Sequence, residues 1–216
     1  LYIHEEVPHN GKTYKTVAIE SEAYAGWSVQ SVYIPDGVRE IGDMAFNRCH
    51  EVVSLDIPQS VERIGKKCFD DMKSIRSLSL PENLKKISHN AFTSCRGLRR
   101  IVIPEGVEVL DLDCFAYCSS LETATLPSTL TTINRGVFWN CTMLKDISIP
   151  ASVSTIGEYV FFYCNRLTDV YNYAPIPQSV PPIFNKQGIK LHVPRGSEEL
   201  YQNSDNWNVA EIVGDL

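Results

Sequence analysis

Six prolines recur along this chain at a constant spacing of 23 residues, and each follows an isoleucine or a leucine. Apolar residues stand three and six places after each proline, phenylalanine stands eleven places after it, and cysteine or methionine follows three places later. A constant period of this length is typical of a solenoid, because one repeat cannot bury its apolar face and has to stack on its neighbours. The prolines are Pro35, Pro58, Pro81, Pro104, Pro127 and Pro150, and the phenylalanines are Phe46, Phe69, Phe92, Phe115, Phe138 and Phe161.

The residues before each proline alternate between apolar and polar, which predicts a short strand. In one repeat the apolar members are Leu98, Ile101 and Ile103, and Pro104 removes a backbone donor at the point where pairing stops. Strands of successive repeats then lie about 4.8 Å apart in a parallel sheet. The sequence therefore predicts an α/β-type repeat solenoid with a parallel β-sheet on one face, and turns with short helical segments on the other.

The N-terminal segment, residues 1–34, departs from the repeat in a way that is typical of a solenoid cap. It fits one coil if Val7 and Ile19 take the two apolar positions that follow the proline, with an insertion between them. The insertion contains Asn10-Gly11 between short extended stretches. This pair predicts a tight hairpin near residues 8–16.

The C-terminal segment changes character after the six regular repeats, which span residues 35–172. We expect the strand ladder to end near Tyr171, because no proline follows at the repeat spacing. The tail, residues 173–216, then contains irregular proline-rich chain, a predicted strand at 189–193 and a predicted short helix at 197–203. This arrangement predicts a C-terminal cap over the open end of the sheet.

The composition indicates a folded protein, and we expect residues 1–216 to form a single domain. Apolar residues make up 44% of the chain and charged residues 21%. The net charge of -6 argues against a nucleic-acid partner, because phosphate backbones bind basic surfaces. The sequence contains neither a transmembrane run nor a signal peptide. Since the sequence begins with Leu1 and not with Met, a signal or lipid anchor upstream of it is one expectation.

The seven cysteines are interpreted as packing residues with free thiols. Five of them share one repeat position, which methionine fills in another repeat. A bridge between neighbouring cysteines such as Cys114 and Cys118 stays open as the alternative. Neither the histidines nor the cysteines have metal-ligand spacing, and the sequence carries no catalytic motif, so we predict no metal, no cofactor and no enzymatic activity.

The string AF..C..L..I.IP..V..IG resembles the BspA-like leucine-rich repeats of bacterial surface and secreted proteins. It is present here as MAFNRCHEVVSLDIPQSVERIG and CFAYCSSLETATLPSTLTTIN, and it covers residues 1 to about 172. The tail LHVPRGSEELYQNSDNWNVAEIV resembles the segment that closes such repeats in anaerobic gut and oral bacteria. The resemblance implies an extracellular or outer-membrane-associated module, often lipid-anchored or part of a larger protein, and adhesion to host matrix proteins as in some members.

Outward side chains of the predicted strands form two rows along the sheet. The rows are hydroxyl-rich at their centre and have tyrosines near their ends. We take them as the candidate ligand-binding surface, while the alternative is that serine and threonine are merely soluble strand residues. One row is Ser31, Ser54, Ser77, Arg100, Thr123, Asp146 and Asp169, and the other is Tyr33, Asp56, Ser79, Val102, Thr125, Ser148 and Tyr171.

A basic patch is the second candidate surface, because residues 62–100 carry ten Lys or Arg against four Asp or Glu. Part of this charge is explained by columns of alternating sign, such as Glu40 with Arg63, which we expect to pair between adjacent coils. Four other cations share a repeat position with a cation of the adjacent coil, so no opposite charge explains them, and they are the better interaction candidates. They are Lys73, Arg76, Arg96 and Arg99.

Aromatic residues cluster on the turn side of the last repeats, and we expect them to pack from coil to coil and under the C-terminal cap. A contact patch is the alternative interpretation. The cluster consists of Tyr117, Trp139, Tyr159, Phe162 and Tyr163.

These observations predict a monomeric binding module that adheres through its sheet face to a host matrix protein or another cell-surface protein, or alternatively to a glycan. The runner-up is a structural spacer in a larger surface protein, which has no ligand of its own and tolerates changes on that face. A third interpretation is carbohydrate processing in a pocket of the C-terminal cap, which requires convergent carboxylates.

Overall fold

The computed structural model describes residues 1–208 and 210–216, and these form a solenoid of about nine coils. A regular coil contains a front strand, a corner, a short back strand and a turn. In chain order the strands are β1 (Glu6–His9), β2 (Lys12–Lys15), β3 (Ala18–Ile19), β4 (Ser31–Tyr33), β5 (Glu40–Ile41), β6 (Ser54–Asp56), β7 (Arg63–Ile64), β8 (Lys86–Ile87), β9 (Arg100–Val102), β10 (Val109–Leu110), β11 (Thr123–Thr125), β12 (Thr132–Ile133), β13 (Asp146–Ile149), β14 (Thr155–Ile156), β15 (Asp169–Asn172), β16 (Lys190–Val193) and β17 (Glu211–Gly214), and the helix is α1 (Glu198–Gln202). The predicted fold class, a repeat solenoid with a parallel β-sheet, is confirmed.

The back sheet is a continuous parallel ladder of seven strands, in the order β14-β12-β10-β8-β7-β5-β3. Each strand is two residues long, with one residue turned outward and a buried isoleucine or leucine turned inward. In the six repeats these inward residues stand at the apolar position six places after the proline, and Ile19 of the N-terminal coil extends their column. Because two residues are too few to show an alternating pattern, the sequence predicted the buried column but not the sheet.

The front sheet is interrupted, unlike the back sheet. It consists of the pair β4-β6, the pair β9-β11 and the group β13-β15-β16-β17. Residues 77–80 take the front position of their coil, but only one isolated bridge, between Ser77 and Arg100, joins them to a neighbour. Within the described residues the front ladder is therefore broken after β6 and after β11.

The turn side contains six-residue turns in place of the predicted short helical segments. Two residues in each coil, nine and thirteen places after the proline, have left-handed backbone angles with φ between 52° and 66°. A left-handed residue interrupts right-handed helical backbone, so two of them four residues apart keep the chain from continuing as a helix. These residues are Met44, Arg48, Lys67, Asp71, Asn90, Ser94, Asp113, Tyr117, Asn140, Tyr159 and Tyr163, with Gly136 at the remaining position.

The core is built from columns of identical residues, and the phenylalanine column is the largest of them. Phenylalanine rings of successive coils stack with centroids 5.3 to 6.0 Å apart. The column begins at Tyr24, which stacks on Phe46, and it continues beyond the predicted repeats through Phe184 to Trp207. The six phenylalanines that the repeats contribute to this column are each at most 1% exposed.

The cysteine column runs beside the phenylalanines, and all seven cysteines are buried free thiols, as predicted. The thiol of Cys95 donates a hydrogen bond to the carbonyl oxygen of Phe69 at 3.2 Å, and Cys118 repeats this contact with Phe92. Burial raises the pKa of these thiols, so they stay protonated. Cysteine is therefore suited to this position because it is a small apolar residue that can also satisfy a buried carbonyl.

The N-terminal coil carries an antiparallel hairpin made of β1 and β2, with left-handed Asn10 and Gly11 at its turn. Ile19 is buried and pairs with Ile41 in the back sheet. The assignment of Val7 to a core column was wrong, because Val7 lies on the hairpin opposite Tyr14 and is half exposed.

The C-terminal segment extends the solenoid, and the expectation that the strand ladder ends near Tyr171 was wrong. β16 pairs in parallel with β15, and β17 pairs in parallel with β16. Trp207 is fully buried, and its indole N–H donates to the carbonyl oxygen of Gln178 at 2.9 Å. The helix α1 is five residues long. Among the described residues, none of the helical segments has the length and hydrophobicity of a membrane span.

Candidate functional site

The structure places the two predicted rows on the front face, where their side chains point outward. Twelve of the fourteen residues are exposed, and Asp169 and Tyr171 are half-buried. In register, Ser31 lies beside Ser54 and Tyr33 beside Asp56, while Thr123 lies beside Arg100. The rows therefore form a surface as expected, although the break in the front sheet makes that surface uneven.

An open cavity of about 880 Å³ lies on the front face beside the break, and we call it the sheet groove. Its walls include five residues of the predicted rows, and its apolar part includes Leu80 and Leu126, each 9% exposed. The remaining lining is formed mainly by the prolines and corner residues of three coils. The five row residues are Ser77, Ser79, Arg100, Val102 and Thr125.

The side chain of Val102 is the most exposed apolar group of the groove, at 53%. An exposed valine at the centre of a strand face costs solvation free energy that contact with a partner would recover, at about 25 cal/mol per Å² of apolar surface. Arg100 lies beside it, and Arg100 has no ion pair among the described residues. The groove thus offers an apolar contact next to a free cation.

Glu105 also lines the groove, but its carboxylate is engaged by the next coil. It accepts hydrogen bonds from the backbone N–H and the hydroxyl of Ser128, both at 3.0 Å, and from the backbone N–H of Thr129 at 3.3 Å. These hydrogen bonds hold the pKa of Glu105 below its usual value. The role of this acid is therefore to hold the corner, and it does not neutralise Arg100.

A second open cavity, of about 630 Å³, lies beside the starts of the same front strands, and we call it the basic cavity. It contains three of the four residues of the predicted basic patch, while Arg96 is exposed outside it. A side chain at Gly97 would collide with the previous coil, since its Cβ would lie 2.6 Å from the carbonyl oxygen of Lys73. The lining consists of Val53, Lys73, Ser74, Arg76, Gly97, Arg99 and Ser120.

The ion pairs divide the basic patch into engaged and free cations. Lys73 lies 3.3 Å from Asp71, so its charge has a structural partner, contrary to the expectation for the four stacked cations. Arg76, Arg96 and Arg99 have no ion pair among the described residues. The free part of the patch is therefore made of arginines.

The predicted columns of alternating charge give cross-coil ion pairs at two places. Arg63 lies 3.7 Å from Glu40, and Lys85 lies 3.5 Å from Glu62. All four side chains are at least 42% exposed, so each pair contributes at most about 1 kcal/mol.

The C-terminal end of the front face holds a histidine that the sequence analysis missed. His192 stacks on Tyr171 with ring centroids 4.4 Å apart, and its ring nitrogens contact the carboxylates of Asp169 at 3.1 Å and Asp215 at 2.9 Å. Burial lowers the pKa of His192, but the hydrogen bonds and charges of the two aspartates outweigh it, so the pKa is raised. A signal was present in the sequence, because Asp169, His192 and Asp215 are each separated by 23 residues, whereas Tyr171 is 21 residues from His192.

The N-terminal end of the same row is also aromatic. Tyr2 stacks on Tyr33 with ring centroids 4.8 Å apart and an interplanar angle of 4°. The front face therefore ends in an aromatic stack at both ends, with Tyr2 extending the predicted row by one coil.

The aromatic cluster on the turn side packs from coil to coil, as expected. Tyr117 lies 5.7 Å from Trp139 of the next coil, Trp139 lies 6.5 Å from Tyr159 of the coil after that, and the guanidinium of Arg135 stands over the ring of Tyr159 at 5.6 Å. Within the described part of the chain, no group of three or more His, Cys, Asp and Glu side chains is placed to hold a metal ion.

The comparisons with known proteins agree on one family. The model described as "BspA type Leucine rich repeat region" matches residues 17–145 and 86–185, with six copies. A leucine rich cell surface protein from Faecalibacterium prausnitzii is 25% identical, with a TM-score of 0.76 over 89% of this chain and 62% of that chain. This chain thus spans 62% of the length of that protein.

Two further crystal structures share the fold. A leucine-rich repeat protein from Bacteroides ovatus has a TM-score of 0.59 at 23% identity, over 99% of this chain and 68% of that chain. The leucine rich repeat protein of T. pallidum has a TM-score of 0.67 at 24% identity, over 77% of each chain. No curated protein sequence matches this chain.

Proposed function

Because this chain belongs to the BspA-type leucine-rich repeat family, we propose that it is a bacterial surface protein that binds a protein partner through the front face of its solenoid and carries out no catalysis. The surface location is supported by its similarity to the cell surface protein of Faecalibacterium prausnitzii. In this proposal the domain is monomeric, and residues 1–34 and 173–216 cap the repeats.

The sheet groove is the observation that carries the proposal. It combines an exposed apolar side chain, Val102, with the unpaired cation Arg100 and the hydroxyl of Thr125. Interfaces of this kind derive their affinity from a few desolvated apolar anchors and from polar groups around them. The remaining row residues would form the rim of the interface, with the stacks at Tyr33 and Tyr171 toward its two ends.

The experiment measures binding of the purified chain to a panel of purified extracellular-matrix and mucosal proteins, together with a glycan array, by biolayer interferometry. The test variant carries Val102→Glu and Thr125→Glu, which place two carboxylates in the groove. We expect this variant to lose about 2 kcal/mol or more of binding free energy, because the apolar anchor Val102 is removed and two carboxylates would have to be desolvated at the interface.

The matched control carries Val109→Glu and Thr132→Glu on the back sheet of the same two coils. Val109 is 42% exposed and pairs with Thr132, just as Val102 pairs with Thr125, so both variants have the same composition. We expect the control to keep the binding of the unmodified chain. Equal binding by both variants would contradict the proposal and favour the spacer interpretation, provided that both unfold at the same temperature as the unmodified chain.

A further inference from the structure

We infer that the segment recognised by the front face is an extended peptide with acidic residues at one end and apolar residues at the other. This inference rests on the proposed function and names the chemistry of its partner. The structural reason is that the basic cavity adjoins the sheet groove. Arg99 lines the basic cavity, and its neighbour in sequence, Arg100, lines the sheet groove. Arg76 and Ser77 repeat this relation one coil earlier.

The basic cavity is suited to carboxylates because its lining includes three cations and no acid. Arg76 and Arg99 share one repeat position in adjacent coils, so their charges lie side by side and repel. The nearby acids have other partners: Asp71 contacts Lys73 and His50, and Glu122 lies 3.9 Å from Lys145. A carboxylate between the two arginines would relieve the repulsion through charge-assisted hydrogen bonds.

The sheet groove is suited to apolar side chains because Val102, Leu80 and Leu126 form part of its lining. The distance between the two cavities fits a short peptide. From Arg99 to Ile103 the chain takes four residue steps, which in extended conformation cover about 13 Å. A hexapeptide in extended conformation therefore places acidic residues on the arginines and apolar residues in the groove at the same time.

A sulfated polysaccharide is the other polyanion that would contact the arginines. It has no apolar side chains, so it would leave the groove unoccupied and Val102 exposed. The apolar lining directly beside the cations therefore favours a peptide. This difference also makes the two partners separable, because only the peptide depends on both cavities.

The experiment measures fluorescence anisotropy of labelled hexapeptides with the full chain. The probes are Glu-Glu-Glu-Leu-Leu-Leu and its reverse, since either direction of the peptide satisfies the geometry. Two control peptides replace the leucines by serines or the glutamates by lysines. We expect at least one acidic–apolar peptide to bind, and each control peptide to bind about tenfold more weakly or not at all. The affinity of the acidic–apolar peptide for the chain should also fall as salt is added.

The protein variant carries Arg76→Glu and Arg99→Glu, and its matched control carries Arg166→Glu and Arg195→Glu. Each double variant lowers the net charge of -6 by four units, to -10. Arg166 and Arg195 are exposed and lie outside both cavities. We expect the first variant to bind the peptide at least about tenfold more weakly and the control to bind it within about twofold of the unmodified chain.

Three results would overturn the inference: equal binding by the two variants, equal binding of the serine peptide, or binding of dextran sulfate without binding of any peptide. The last result would assign the basic cavity to a sulfated glycan. Failure of the inference is distinguishable from failure of the proposed function. If the arginine variant keeps the matrix partner that the Val102 and Thr125 variant loses, the front face is the binding site but the partner is not an acidic–apolar segment.

Discussion

The back sheet and the front sheet run along the same coils, yet only the back sheet is continuous. Its inward residues are isoleucine or leucine in all seven strands, and none is more than 5% exposed. The inward residues of the front strands vary, and Leu55, Leu78 and Ala124 are only partly buried. The two breaks of the front ladder lie next to these three residues.

The back sheet is therefore the surface that holds the coils together, and the front sheet is the surface whose residues vary from coil to coil. On the back, six isoleucines and one leucine of equal size pack in a pleated ladder, and their uniformity keeps every strand in register. On the front, two successive leucines and one alanine fit the ladder less well. The groove beside these positions is therefore a consequence of irregular packing, and it provides the concave surface that a uniform ladder lacks.

The largest expected effect comes from removing a buried side chain of the back ladder. Ile87→Ala should lower the free energy of unfolding by about 3 to 4 kcal/mol, because Ile87 is 1% exposed and leaves a cavity. Leu78→Ala, in the same coil but on the front, should cost about 1 to 2 kcal/mol, because Leu78 is already partly exposed. Chemical denaturation monitored by fluorescence measures both. Equal losses would mean that the two sheets contribute equally to the free energy of unfolding.

The next effect concerns the close approach of coils beside the front sheet. Gly97→Ala should destabilise the chain by about 2 kcal/mol, because the added Cβ would lie 2.6 Å and 2.7 Å from two backbone oxygens of the previous coil. Ser120→Ala is the matched control, since Ser120 holds the same repeat position one coil later. Thermal unfolding should show a clear decrease for Gly97→Ala and little change for Ser120→Ala. An unchanged midpoint for Gly97→Ala would mean that the coils separate easily at this point.

A smaller effect, dependent on pH, is expected at the C-terminal end of the front sheet. The pKa of His192 in the folded chain is raised above its ordinary value of 6.5. The contacts of the protonated ring with Asp169 and Asp215 therefore contribute fully below this ordinary value, and their contribution is lost as the pH rises through the folded-state pKa. The loss should be about 1 kcal/mol, because Asp215 is 47% exposed and solvent screens its charge.

Thermal unfolding measured from pH 6 to pH 9 tests this expectation. His192→Gln should remove the dependence in this range, and hydrogen exchange should show faster opening of β17 above neutral pH, because Asp215 directly follows that strand. A pH profile of the variant that parallels the unmodified chain would assign the dependence to other groups.

The regular part of the fold was predictable because each column position repeats the same kind of residue. The prolines, the phenylalanines and the cysteines are separated by 23 residues, so their stacking followed from spacing alone. The tail was harder, because β15, β16 and β17 follow each other at 21 residues and no proline marks them at the repeat spacing. A signal was nevertheless present, since Phe184 and Trp207 continue the 23-residue spacing of the phenylalanine column.

The sequence predicted which face of the solenoid carries the candidate site, but not the groove within that face. Alternation along the strands identified the outward rows, and the exposure of Val102 and Thr125 agrees with it. The groove depends on where neighbouring strands stop pairing, and Leu78 looks like any other apolar residue in the sequence. Likewise, the ion pair between Lys73 and Asp71 is seen only in the structure, because the 23-residue repeat says nothing about contacts between residues two places apart. Such details follow from three-dimensional packing and not from the repeat.

The smallest expected effect concerns the outward side chains of the back sheet. Glu40 and Arg63 lie 3.7 Å apart on adjacent strands, and both side chains are about half exposed. A double-mutant cycle with Glu40→Gln and Arg63→Gln should give a coupling energy below about 0.5 kcal/mol, because solvent screens exposed pairs. A value near that for Ile87→Ala would mean that surface charge, and not the buried ladder, keeps the back sheet in register. A small value would leave the uniform inward column as the reason why the back sheet is continuous where the front sheet is not.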